Sequence, residues 1–340
     1  MAADETRGLR ARAQRLDVGR GKASVEAVVA HLVAVQAQDL AAASLGIGVR
    51  ADGLTAAEVD RARNVERSIV RTWCLRGTLH LVAARDVRWL LDLVRPGLET
   101  GNRTRRQQLG LDDADTARGV ALVCELLADG PSTRPEIAAQ LRRHGVASEG
   151  QATIHVIWRA AIAGFVCCGP DRGSESTFVL LDEWVGQTCR PADPLGELVM
   201  RYRAAYGPAA QKDFAAWSGL PRKAIDRAWT DVGKAEKPPR LDRTVRLLPA
   251  YDSVWVGYRD HSLLVADEFA KRVFPGGGLI RPIVFTGGRA VGTWSRRTTR
   301  RGIDISVDLF ETLDEHALSR AVIELGRFLQ APARLVSTSC

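Results

Sequence analysis

The residue that stands out chemically is Gln36. Counting about 100° per residue along a helix opening at Val25, the apolar stripe runs Val25, Val28, Val29 and Leu32, and the next position at its centre is Gln36. Burying an amide costs roughly 1–3 kcal/mol unless it is bonded, so Gln36 either satisfies a buried backbone group or lines an internal cavity. Gln38 lies on another face if the helix continues, and on the same side if the chain has by then become extended. The chemistry open to such a pair is positioning by hydrogen bonds. His31, one and a half turns before Gln36, is close enough to touch the same site, or it is a satisfied interface histidine.

Other chemistries find no support. The six histidines (31, 80, 144, 155, 261 and 316) show neither metal-ligand spacing nor an HExxH pattern, so no metal is expected. The six cysteines (74, 124, 167, 168, 189 and 340) show no CxxC spacing and read as scattered reduced thiols. Gly276-Gly277-Gly278 lacks the Lys-Ser/Thr of a phosphate-binding loop, and Gly46-Ile47-Gly48 lacks the third glycine of a dinucleotide site, so no nucleotide cofactor is expected.

The elements that must carry these residues follow a repeated order. Capping boxes of the form T-x-x-E occur at Thr55…Glu58, Thr133…Glu136 and Thr312…Glu315. Around Thr133, helices over 115–128, 134–143 and 150–163 precede two β-prone runs separated by the turn-forming Pro170-Asp171-Arg172-Gly173-Ser174-Glu175, which is the winged-helix order. Upstream, helices over 25–38 and 56–63 precede strands over 69–75 and 78–82 about Arg76-Gly77. Downstream, helices over 195–206, 212–217 and 221–229 precede a strand over 244–248. The expectation is a helix-rich α+β chain of three tandem winged-helix-like units with β-hairpin wings: 1–100, 114–190 and 193–262, with a linker near 101–113. Residues 263–340 then supply a basic hairpin and a closing helix. That hairpin runs over 279–286, turns at Gly287-Gly288 and returns over 289–295.

Composition places the chain among ordinary globular proteins: 340 residues, 46% hydrophobic and 26% charged, too apolar for wholesale disorder and long enough for more than one domain. No window approaches the roughly 20 apolar residues that cross a bilayer, and the N-terminus lacks an apolar signal core, so no membrane and a cytoplasmic, nucleoid-associated protein are expected. The net charge is +8, with six lysines against 42 arginines. Its distribution is uneven: residues 269–303 hold no acid but eight bases, namely Lys271, Arg272, Arg281, Arg289, Arg296, Arg297, Arg300 and Arg301. A second basic run lies at the N-terminus (Arg7, Arg10, Arg12, Arg15, Arg20, Lys22) and a third at Arg103, Arg105 and Arg106. Single runs of this kind are often solvated faces; three together favour a phosphate-binding surface. Trp73, Trp158, Trp217 and Trp229 fall inside amphipathic segments and read as core rather than base-stacking platforms.

The runs Val33-Ala34-Val35-Gln36-Ala37-Gln38-Asp39 and Arg71-Thr72-Trp73-Cys74-Leu75-Arg76-Gly77-Thr78-Leu79-His80-Leu81-Val82 resemble the winged-helix family of bacterial DNA glycosylases typified by AlkZ, the azinomycin-resistance enzyme, and by YcaQ. Similar matches continue through residues 201–209, 213–221, 248–252, 257–260 and 292–294, so the likeness covers nearly the whole chain. It implies tandem winged helices scaffolding a basic concave surface, with Gln36 and Gln38 as catalytic residues around a small apolar Ala37, the AlkZ-like middle residue. It also implies double-stranded DNA alkylated at guanine N7 as substrate, interstrand crosslinks included. Asp39 is then a competing general base, unless it is a solvated charge or helix cap. A lyase would need an amine nucleophile, and Lys22 is the only lysine before position 212, so a monofunctional hydrolase is expected. Arg71 and Arg76 of the first hairpin, with Arg281, Arg289, Arg296, Arg297, Arg300 and Arg301, are the expected DNA contacts of a monomer. The alternative is a non-catalytic winged-helix protein, a regulator or one that sequesters a lesion or drug.

Overall fold

The computed structural model describes residues 2–229 and 240–339; Lys234, Lys237 and Cys340 lie outside the described residues, as does part of the unit expected at 193–262. The chain is a helix-rich α+β fold built on two sheets. Among the described residues no helix is long and apolar enough to cross a membrane.

Helix α1 (Ala3–Ala13) leads to α2 (Val25–Leu32), capped by the Ser24 hydroxyl, which accepts a hydrogen bond from the Ala27 amide at 3.1 Å. The helix expected over 25–38 stops at Leu32. Val33 takes φ 67°, a conformation unusual for a β-branched residue, and the chain leaves as strand β1 (Ala34–Gln36). Long-range pairing overrides the helical period here: β1 lies antiparallel to β3 (Leu79–Ala83) with Ala34 opposite Val82 and Gln36 opposite His80. Helix α3 (Leu40–Gly48) and α4 (Ala56–Asn64) follow, the latter opened by the Thr55/Glu58 capping box. Strand β2 (Ile69–Trp73) pairs with β3 across a tight turn at Leu75–Gly77. Helix α5 (Val87–Gly101) leads to α6 (Arg103–Gln108), which occupies the expected linker; its Arg106 is buried and donates to Asp113 and Thr116.

The second unit holds α7 (Asp113–Ala128), β4 (Ser132–Thr133), α8 (Arg134–Arg143) with the Thr133/Glu136 capping box, α9 (Ala152–Ile162), β5 (Val166–Cys168), β6 (Thr177–Leu180) and α10 (Leu181–Trp184). Its strands pair with one another, β6 lying between β5 and β4, and touch the first hairpin at one position. Arg71 pairs with Cys168, so the first two units share one sheet in the order β1-β3-β2-β5-β6-β4. Beyond it come α11 (Pro194–Tyr206), α12 (Gln211–Ser218), α13 (Arg222–Ala228), β7 (Arg246–Leu248), α14 (Ser253–Val256) and α15 (Asp267–Val273). Strand β7 belongs to the second sheet, ordered β11-β10-β9-β8-β7, in which β8 is Ile283–Thr286, β9 Arg289–Thr299, β10 Gly302–Leu309 and β11 Ala333–Ser339. Gly287 and Gly288 both have positive φ, 57° and 73°, as the predicted tight turn requires. Strand β9 runs past Ser295 to pair with β10 as far as Thr299 opposite Gly302, so Arg296 and Arg297 lie within a second hairpin and Arg300-Arg301 at its turn. Helix α16 (Glu315–Leu329) is capped not by Thr312 but by Asp314, whose carboxylate accepts from the His316 amide at 3.0 Å. The short side chain immediately before the helix reaches the free amides first.

Candidate active site

Extension of the chain after Val33 decides the geometry of the glutamines. With side chains alternating at a period of two, Gln36 and Gln38 project on one side, and Gln36 Nε2 donates to Gln38 Oε1 at 2.9 Å. The expected core position of Gln36 is corrected: Gln36 is half-buried and Gln38 exposed, while Ala37 between them is fully buried. The turn between β2 and β3 delivers Arg76, whose Nη2 donates to Gln36 Oε1 at 3.0 Å and whose Nη1 donates to the Trp217 carbonyl at the end of α12. From the neighbouring strand, Arg71 is buried; its Nε donates to the Ala37 carbonyl at 3.0 Å and its Nη2 to the Gln38 carbonyl at 3.4 Å. Two arginines thus hold the segment, one by its backbone and one by a side chain.

Directly across from Gln36 stands His80, with Thr72 beyond it on β2. Both are buried, and the Thr72 hydroxyl has no partner among the described residues. His80 Nδ1 meets the Thr78 carbonyl at 2.8 Å; a carbonyl only accepts, so Nδ1 carries the proton and Nε2 is left as an acceptor. Burial, reinforced by the charge of Arg76, lowers the His80 pKa from 6.5 to about 3. The site therefore has a neutral imidazole at all ordinary pH values. The unfolded chain takes up a proton near pH 6.5 that the folded chain refuses, so stability is lost as pH falls from there toward 3, at about 1.4 kcal/mol per pH unit. Urea unfolding of wild type and His80→Asn at pH 7.5 and 5 checks this: the wild type should lose roughly 2 kcal/mol more than the variant on acidification. Equal losses would exclude His80 as the source.

The remaining expected residues lie as follows. Asp39 is exposed and caps α3, accepting from the Ala42 amide at 2.9 Å. His31 bonds through Nε2 to the Ala13 carbonyl at 2.6 Å, tying α2 to α1. Arg296, Arg297, Arg300 and Arg301 are exposed on the β9–β10 hairpin and Arg281 is exposed in the segment before β8; Arg297 is within 3.4 Å of Asp304, whereas Arg289 is half-buried and paired with Glu311 at 2.7 Å. The N-terminal basic run turns largely inward: Arg7 donates to the Leu263 carbonyl, Arg10 to that of Pro208, Arg15 to that of Arg50, and Arg20 pairs with Asp52. Trp73 stacks on Phe178, Trp217 is buried against Tyr202 and Tyr206, Trp158 is buried, and half-buried Trp229 lies under Arg203. Sequence reasoning missed His80, Thr72 and the Trp217 carbonyl at this site. The position of Arg76 at the expected Arg76-Gly77 turn was the available signal, but the strand partner of Gln36 was not legible.

The chain thus combines a glutamine pair held by arginines, a helix-rich α+β scaffold and an exposed basic hairpin whose charge suits a polyanion. Residues 29–331 match the model of the family described as DNA glycosylase AlkZ-like, and the chain belongs to that family of enzymes. It is 27% identical over 319 residues to an interstrand DNA cross-link repair glycosylase of Streptomyces sahachiroi, across 81% of this chain and 83% of that one. The Streptomyces sahachiroi DNA glycosylase AlkZ has the same fold, with a TM-score of 0.81 over 99% of this chain and 100% of its own at 23% identity.

Proposed function

We propose that this DNA glycosylase hydrolyses the N-glycosidic bond of bulky N7-alkylguanine adducts in double-stranded DNA, with Gln36 and Gln38 as its catalytic residues. It acts as a monomer and unhooks interstrand crosslinks, the lesion carried in the name of its Streptomyces relative. The observation that carries this reading is the bonded pair itself, with Gln38 open to solvent and Gln36 braced behind it. Guanine alkylated at N7 is already cationic, so its glycosidic bond is weakened and the base departs without a strong acid. An amide carbonyl then suffices to hold a water near C1′ and to place partial negative charge beside the developing oxocarbenium ion. Asp39 is occupied as a cap, which favours the amides over a carboxylate base. The exposed arginines of the β9–β10 hairpin meet the phosphates.

Helix α9, the third helix of the second unit, supports an enzyme over a reader of DNA sequence. Eight of its eleven residues are buried, so it has no free face to lay in a major groove. The test is incubation of the purified chain with duplex bearing one N7-alkylguanine or N7-linked crosslink, then mild alkali. Strand scission at the lesion, with no complex trapped by borohydride, is expected. Selection of one undamaged operator sequence without scission would replace the catalytic reading with the binding one.

A further inference from the structure

A side-chain amide is nearly symmetric in shape, and which end faces a substrate decides whether it offers an acceptor or a donor. We propose that Arg76 is the positioning residue that sets the polarity of the glutamine pair, rather than a phosphate contact. The inference rests on the reading of Gln36 and Gln38 as catalytic.

The orientation follows from donor and acceptor chemistry. A guanidinium has only donors, so the Gln36 end that meets Arg76 Nη2 at 3.0 Å is the carbonyl oxygen. That turns Gln36 Nε2 toward Gln38, which must answer with its own oxygen, the 2.9 Å bond observed. Among the described residues Gln38 Nε2 has no partner and one lone pair of Oε1 is unused, so the exposed amide presents an acceptor for a water with a donor beside it. A reversed pair would aim the Gln36 amide hydrogens at a cation.

Arg76 is itself held at both terminal nitrogens. Its Nη1 is taken by the Trp217 carbonyl, one of the free carbonyls at the C-terminal end of α12, where the helix dipole favours a cation. Its backbone has φ 55°, in a turn where glycine would be unstrained, and strain retained by a non-glycine residue points to a role for the side chain. Gly219, at φ 70°, packs against it: a Cβ there would come within 3.0 Å of Arg76 Cγ. With both terminal nitrogens committed and the residue half-buried, the guanidinium is poorly placed to neutralise a phosphate.

The experiment compares wild type, Arg76→Gln, Arg76→Lys, Gln36→Ala and the Arg76→Gln/Gln36→Ala double variant. Single-turnover excision and duplex affinity are measured over a range of salt. Arg76→Gln should slow excision at least about tenfold while duplex affinity changes by less than about twofold and the slope of log K against log salt is unchanged. Arg76→Lys, which keeps a group that can only donate where glutamine offers both a donor and an acceptor, should recover part of the rate. In the Gln36→Ala background the Arg76 substitution should cost nothing further, because its partner is gone. A merely structural arginine would cost the same in both backgrounds, and a phosphate contact would lower the salt slope by about one; either result overturns the assignment. Should wild type excise nothing, the catalytic reading fails by itself. The Gln36 side-chain amide resonances, followed in protein labelled with nitrogen-15 at glutamine, then decide: they must shift in Arg76→Gln, and no shift refutes the role of Arg76.

Discussion

Gln36→Ala is expected to slow release of an N7-alkylguanine from duplex DNA at least about tenfold, roughly 1.4 kcal/mol of barrier, with Gln38→Ala doing the same by a different route. Removal of Gln38 deletes the exposed amide and leaves Gln36 and Arg76 in contact, so only the group proposed to face the sugar is lost. Removal of Gln36 frees one nitrogen of Arg76 and releases Gln38 from its only side-chain hydrogen bond among the described residues, so the remaining amide can rotate. The two variants should then differ in stability. Gln38→Ala should unfold within about 0.5 kcal/mol of wild type, as exposed substitutions do, and Gln36→Ala should lose about 1–3 kcal/mol from a half-buried cation deprived of its acceptor. Alkali-dependent scission under single turnover, together with urea melts, reads both. Full activity in either variant would remove the pair from the mechanism.

Asp252→Ala is expected to give the largest loss of stability, about 3–5 kcal/mol, because it leaves a fully buried guanidinium without its counter-ion. Arg50 and Asp252 are both buried and joined by two bonds, Nη1 to Oδ2 at 2.8 Å and Nη2 to Oδ1 at 2.6 Å. Arg50 also donates to the Gly46 carbonyl and to Gln14, and desolvation opposes its charge while Asp252 upholds it. Gln14 continues the network by donating to Tyr258 Oη, which donates to the Tyr206 carbonyl, while Tyr206 Oη donates to the Leu32 carbonyl just before Val33. The pair thus buttresses the point where helix gives way to the glutamine strand. An Arg50→Met/Asp252→Leu double variant should recover most of the loss, since an apolar pair has no charge to strand. Urea unfolding checks this; a double variant as unstable as the single one would show that packing rather than the orphaned charge is at fault.

Much of this was legible from local pattern. The boxes at Thr55 and Thr133, the turn at Arg76-Gly77 and the Gly287-Gly288 hairpin depend on residues a few positions apart, and the structure contains all of them. The box at Thr312 failed for an equally local reason, Asp314 standing closer to the free amides. The glutamines were singled out by residue type and spacing, but on the premise of a helix that ends at Leu32.

What the amino-acid sequence determined by itself was the inventory: a helix-rich α+β chain, a glutamine pair flanking a small residue, and an arginine-rich run following the Gly287-Gly288 hairpin, because these are set by composition and by periods of two and 3.6 residues. Tertiary structure alone decided how that inventory is used. Whether residues 34–36 are helix or strand depends on Val82 and His80, far along the chain, and whether an arginine faces water or a backbone carbonyl depends on what packs over it. Arg71 and Arg301 are the same residue type, both on antiparallel hairpins, yet one is buried against the backbone of the glutamine segment and the other stands in solvent. A guanidinium is recruited by whichever unsatisfied acceptors the fold brings to it, and only long-range pairing brings them.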